Sequence, residues 1–122
     1  MDKPAILYVD DEIINLKLLE ANLEKKYHVL LAPSGAHGLE MLESRNDVQV
    51  VISDMKMPGM SGLEFILKAR EKFPSLYYYL MTGFDVSADI QEALSRGQIV
   101  TCFTKPVSMG VIDTEIKKVI RE

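Results

Sequence analysis

Three acids in a row, Asp10-Asp11-Glu12, follow the first apolar run of the chain. Asp54 follows the third run, Thr82-Gly83 the fourth and Thr104-Lys105-Pro106 the fifth. Each polar group interrupts its run at the same, C-terminal end. In an open parallel α/β sheet, ligands bind outside the carboxyl ends of the strands, where the strand order reverses, so these residues are expected to converge. Carboxylates gathered in this way repel: two unit charges about 4 Å apart at an effective dielectric of about 20 cost roughly 4 kcal/mol. A cation is therefore expected among Asp10, Asp11 and Asp54. Oxygen-only donors, few carboxylates and no His or Cys in the group describe a hard ion that keeps several waters, Mg2+ rather than zinc or a caged calcium. Lys105 as a point charge and Thr82 as a hydroxyl donor suit a phosphate, and the whole set makes a phosphoryl-transfer site.

Positioning these residues requires alternating strands and helices. Short dense runs at Ala5–Val9, Tyr27–Leu31, Val48–Ile52, Leu76–Met81 and Ile99–Phe103 have strand length and lack strict alternation, as strands covered on both faces should. Between them, Leu16, Leu19 and Leu23, then Leu63, Ile66 and Leu67, and finally Ile112, Ile116, Val119 and Ile120 recur at helical spacing. Two further helices are expected over 34–44, which Gly38 interrupts, and 87–96, with Ile90, Ala93 and Leu94 as its stripe. Ser34 and Ser87 read as N-caps, Ser61 with Glu64 as a capping box, and Gly97 as a helix stop. Five strand–helix pairs predict a doubly wound parallel sheet.

The chain has 122 residues, 48% of them hydrophobic and 26% charged, near the commonest size for one domain. With no linker, repeat or low-complexity tract, and a fifth helix running nearly to residue 122, it reads as a single domain over 1–122. A formal charge of −4 provides no basic surface for a phosphate backbone, so direct nucleic-acid binding is not expected. No apolar run approaches the roughly 20 residues of a membrane span, and the N-terminal stretch from Met1 has no signal-peptide pattern. With one cysteine and therefore no internal disulfide, a cytoplasmic protein fits best.

The acidic pair Asp10-Asp11, Asp54 at the head of the segment running to Gly62, Thr82-Gly83 and Lys105-Pro106, in this order and spacing, resemble the receiver domain of two-component response regulators along essentially the whole chain. That resemblance implies a five-stranded sheet of order 2-1-3-4-5, the flavodoxin-like (βα)5 fold, an order shared by flavodoxin and a chemotaxis receiver. It also implies that Asp54 accepts a phosphoryl group from a phosphohistidine of a sensor kinase or phosphotransfer protein. Asp11, Asp54 and the main-chain carbonyl of Lys56 would bind Mg2+ directly and Asp10 through water, with Thr82 and Lys105 on the phosphoryl oxygens and Pro106 as a cis-proline candidate. Output would pass to a partner or output domain through the fourth helix, fifth strand and fifth helix, with a homodimer open on that surface. The family usually has Tyr or Phe three residues before its lysine; here that position is Cys102, with Phe103 beside it. Strand parity puts Phe103 on the face opposite Cys102, so Cys102 takes the switch position with a small side chain, and Thr82 with the loop 83–89 is expected to carry the change.

Other readings differ in the chemistry they require. A phosphatase of the haloacid dehalogenase type needs a second acid two residues after its nucleophile, and Lys56 stands there, so turnover of external phosphoesters is not expected, which leaves self-dephosphorylation as the one hydrolysis open to the acceptor. The acidic loop after the first strand would repel a flavin phosphate. The alternative from another class is a receiver-like interaction module that is never phosphorylated. His28 and His37 read as structural or surface residues. Met55, Met57 and Met60 flank the site, either as packing or as an adaptable docking surface.

Overall fold

The computed structural model describes residues 3–83 and 85–120. Elements alternate along the chain as β1 (Ala5–Val9), α1 (Ile13–Leu23), β2 (His28–Ala32), α2 (Gly35–Ser44), β3 (Val48–Asp54), α3 (Gly62–Lys72), β4 (Tyr77–Thr82), α4 (Ala88–Ser95), β5 (Thr101–Thr104) and α5 (Met109–Val119). The strands form one parallel sheet of order β2-β1-β3-β4-β5, as expected. Strand order reverses between β1 and β3, and both strands carry acids at their carboxyl ends.

Two cores follow from strand parity. Leu7 and Val9 of β1, Val51 of β3 and Leu80 of β4 pack toward α2, α3 and α4, whereas Ile6, Tyr8, Val50, Ile52, Tyr79 and Met81 pack toward α1 and α5. Every residue of β1 is buried, which explains its unbroken apolar run. The ladder fixes the site: Asp54 lies opposite Met81 in the β3–β4 register, and Thr82 opposite Thr104 in β4–β5.

Helix punctuation follows the local chemistry. The Ser34, Ser87 and Ser108 side chains accept from backbone N–H groups one turn on, and Ser61 with Glu64 closes a reciprocal capping box. Gly97 sits at φ +71°, with Gln98 N–H donating to Ala93 O and Gly97 N–H to Leu94 O, a Schellman stop for α4. Gly38, an interruption in the sequence pattern, is required by packing: a Cβ there would lie 2.8 Å from the Phe65 ring of α3 and 3.1 Å from Val9.

Some element ends move from the expected positions. β2 begins at His28 because Tyr27 is still held by the turn that follows α1, its N–H donating to Leu23 O and its hydroxyl to Asp113 of α5. β3 extends to Asp54 and β4 to Thr82, so both site residues are inside the ladder rather than just beyond it. β5 starts at Thr101, after the buried Ile99 and the exposed Val100. Met1, Asp2, Phe84 and the last two residues, on which parts of the targeting, loop and terminal-helix readings rest, lie outside the described residues.

Candidate functional site

Asp10 is fully buried at the end of β1, and its two oxygens are both held: Oδ2 accepts from Tyr8 Oη at 2.6 Å and Oδ1 from the Glu12 N–H at 2.9 Å. The second bond fixes the turn into α1, whose N-terminus has no side-chain cap of its own. Asp11, exposed, projects from that turn. Carboxylate oxygens of Asp10, Asp11 and Asp54 lie within 4.8 Å of one another, and a cleft of about 490 Å3 opens over Asp11, Asp54, Lys56 and Lys105.

Asp54 is 5% exposed, and its Oδ1 pairs with Lys105 Nζ at 2.5 Å. Burial pushes its carboxyl above the usual range; Lys105 opposes this, and the negative charges of Asp10 and Asp11 reinforce it. Burial likewise raises the Tyr8 hydroxyl, with its bond to Asp10 adding to the effect, so Tyr8 stays a protonated donor. The buried Thr82 ends β4, and its carbonyl accepts the Lys105 N–H at 2.8 Å, tying the lysine loop to the threonine strand. The Lys105–Pro106 peptide is cis.

Backbone approach, not only side chains, shapes the site. Ser53 Oγ donates to Asp54 O at 2.9 Å, and Gly62 N–H donates to Met55 O at 2.8 Å. A Cβ on Gly62 would stand 2.1 Å from Asp54 O, so α3 can begin this close to the acid only with glycine there. Gly62 and Tyr8 are the two contributors that sequence reasoning did not single out. A hydroxyl-bearing aromatic two residues before a strand-end acid has the same parity as that acid, which is the signal that could have found Tyr8.

Cys102 lies opposite Leu80 and is half-buried against the α3/α4 core, where desolvation raises its thiol above the usual range. Phe103 faces the other way, buried, its ring stacked on Tyr79 at 5.7 Å. The structure therefore keeps Phe103 out of the position three residues before Lys105. Met57 is buried, and Met55 and Met60, each partly buried, pack against the same core. His28 and His37 are exposed, and neither joins the acidic cluster. The loop 83–89 contains position 84, which is outside the described residues.

Residues 6–117 match the response regulator receiver domain family. The chain belongs to this family. It is a receiver domain, the kind of module through which response regulators take in phosphorelay signals. The receiver is 33% identical over 115 residues to the hydrogenase transcriptional regulatory protein HoxA of Cupriavidus necator, covering 93% of this chain and 24% of that protein. It spans about a quarter of the length of the transcriptional regulators it matches. Among solved structures, an adenylate cyclase from Rhodopirellula baltica superposes with a TM-score of 0.91 at 34% identity, over 97% of this chain and 87% of that one. The response regulator TrrA of Thermotoga maritima, solved with Mg2+ and BeF, superposes at 0.81 with 30% identity, over 98% of this chain and all of that one.

Receivers are signalling modules rather than metabolic enzymes, and they take phosphoryl groups from histidine kinases. They bind Mg2+ at an acidic cluster, and the Asp10, Asp11 and Asp54 oxygens form such a cluster here. The donor set fits that ion: all oxygen, charged and within reach of one centre, with space for water in the open cleft. No helix among the described residues is long and apolar enough to cross a membrane.

Proposed function

We propose that Asp54 of this receiver is the phosphoacceptor for a phosphohistidine on a sensor kinase or phosphotransfer protein. One observation carries the reading. A buried strand-end carboxylate bears a lysine at 2.5 Å on one side and two further carboxylates within 4.8 Å on the other. An Asp54 oxygen attacks phosphorus, the donor's P–N bond breaks, and its electron pair leaves with the imidazole nitrogen. Asp11, Asp54 and the Lys56 carbonyl are the groups to hold Mg2+ directly, with Asp10 acting through water. When bound, the ion offsets charge on the transferring phosphoryl group.

The chain's own groups do the rest. Lys105 exchanges its pairing with Asp54 Oδ1 for one with the new phosphoryl oxygens, and Thr82, at the adjacent strand end, follows as hydroxyl donor. A phosphoryl group on Asp54 carries more charge and more acceptor oxygens than the carboxylate it replaces, which is what makes the site a switch. Water entering the open cleft can hydrolyse the acyl phosphate, so slow self-dephosphorylation accompanies signalling. The family's usual setting is the cytoplasm, and the receiver domain over 1–122 signals through α4, β5 and α5, either to an output domain or partner or to a second copy. Incubation with acetyl phosphate and Mg2+, followed by intact mass, tests the assignment: one phosphoryl group is expected on the wild type and none on Asp54→Asn. Stoichiometric labelling of that variant would overturn it.

A further inference from the structure

Tyr8 does something that neither strand packing nor the phosphoryl chemistry requires. It lies in β1 and packs in the apolar layer with Leu16, Ile52 and Met81, yet its hydroxyl donates to Asp10 Oδ2 at 2.6 Å. Asp10 is 0% exposed and already accepts the Glu12 N–H on Oδ1. A carboxylate offers about four lone-pair sites. With one site on each oxygen taken by groups of the protein, the carboxylate plane cannot turn, and its remaining lone pairs aim in a fixed direction. That direction matters because Asp11 and Asp54 stand within 4.8 Å. Mg2+ is small and demands near-ideal octahedral geometry, whereas Ca2+ accepts longer bonds and irregular shells. Asp10 reaches the ion through water, so a rigid Asp10 fixes where that water sits and favours the ion with the strict octahedral shell, whereas an Asp10 free to rotate lets the water wander and favours the ion that tolerates an irregular one.

We infer that Tyr8 is a specificity-determining positioning residue: by locking the Asp10 carboxylate, it makes the acidic cluster discriminate Mg2+ from Ca2+. This rests on the reading of the cluster as the cation site of the phosphoacceptor. Tyr8→Phe removes the donor while keeping the ring that fills the core. Outer-shell groups around a metal site typically contribute about 10–100-fold in affinity, and Asp10, acting through water, is such a group with Tyr8 holding it in place. Because Asp10 keeps the Glu12 bond, Mg2+ affinity is expected to fall by about tenfold, the low end of that range. Ca2+ affinity should change by less than about threefold, since its shell tolerates the disorder.

The experiment is calorimetric titration of the full chain with MgCl2 and, separately, CaCl2, at a temperature where circular dichroism shows every protein compared to be folded. Four proteins are compared: wild type, Tyr8→Phe, Asp10→Asn and the double variant. The expected result is a Mg2+/Ca2+ affinity ratio that drops in Tyr8→Phe, and a Tyr8→Phe effect on that ratio that disappears when Asp10 is already Asn. An unchanged ratio in Tyr8→Phe overturns the inference and leaves the phosphoacceptor reading intact. A Tyr8→Phe effect that persists in full beside Asp10→Asn overturns it equally, because Tyr8 would then act by another route. Should the wild type bind neither ion, both the inference and the cation-site reading fall. If Tyr8→Phe proves unfolded, Tyr8 is a core residue first, and the Asp10→Asn ratio decides: no loss of discrimination there refutes a role for the Asp10 carboxylate, and with it the inference.

Discussion

Replacing Gly62 with alanine tests the claim that backbone approach builds this site. The added Cβ would lie 2.1 Å from Asp54 O, 2.8 Å from Asp54 C and 2.9 Å from Leu80 Cδ1. Ordinary van der Waals contact begins more than 1 Å further out than the first of these, and the obstructing atom is main chain, so no rotamer change relieves it. Either the first turn of α3 lifts or the end of β3 is pushed aside. Overpacking of this kind costs about 1–3 kcal/mol. Lifting α3 also stretches the Gly62 N–H to Met55 O bond, a loss of about 1 kcal/mol. Against these stands a helix-propensity gain of about 1 kcal/mol for Ala over Gly. The net expectation is a destabilisation of about 2 kcal/mol, or about 8 °C in Tm for a chain of this size. Phosphorylation by acetyl phosphate should slow as well, since the atom that moves belongs to the acceptor residue.

Gly110→Ala is the matched control. It adds the same methyl group in the first turn of α5, where the nearest atom would be 3.9 Å away. That variant should match or exceed wild-type stability by about 0.5–1 kcal/mol and label normally. Thermal melts and single-turnover labelling of the two variants decide the matter. The reasoning is refuted if Gly62→Ala melts within about 2 °C of wild type and labels at the wild-type rate.

Lys105→Ala should still accept phosphate on Asp54 yet show no amide chemical-shift changes beyond the site on labelling, because the cation that reads the new oxygens is gone; wild-type-like remote shifts would contradict this. Asp113 is governed first by burial, which acts to raise its carboxyl, but the Lys26, Tyr27 and Lys117 bonds together outweigh this and hold it below its ordinary value. Its folded-state value is therefore below its unfolded one, so its contribution is complete above about pH 4 and fades as pH falls through the folded-state value. Asp113→Asn should lose about 1 kcal/mol in urea unfolding at about pH 7 and progressively less as the pH is taken below about 4; a loss that does not shrink with pH would refute the assignment. With Phe103 stacked on Tyr79 and Cys102 too small to act as a lever, Cys102→Ala should preserve the beryllofluoride-induced shifts at Thr82 and α4, whereas Thr82→Ala should abolish them; loss of the shifts in Cys102→Ala alone would return the switch to β5.

How much of this was legible beforehand depends on how local the cause is. Apolar run length, helical spacing and serine caps are short-range properties, and they carried the five strand–helix pairs, the strand order through the family resemblance, and the capping box at Ser61. The acids at the strand ends were legible for the same reason: a charge terminating an apolar run is visible in the chain itself, and the sheet's geometry brings such ends together. Strand parity even separated Cys102 from Phe103. What the sequence left undetermined depends on distances between residues far apart along it. Gly38 interrupts a helical pattern for a reason visible only once α3 is placed against it, and nothing local shows that a Cβ on Gly62 would meet Asp54 O at 2.1 Å. Tyr27 read as strand because nothing local shows that its hydroxyl reaches Asp113 from 86 positions away. The pairing of Lys105 with Asp54 and the double hold on Asp10 are likewise matters of tertiary packing, because hydrogen bonds and ion pairs act over about 3 Å in space with no regard for separation along the chain.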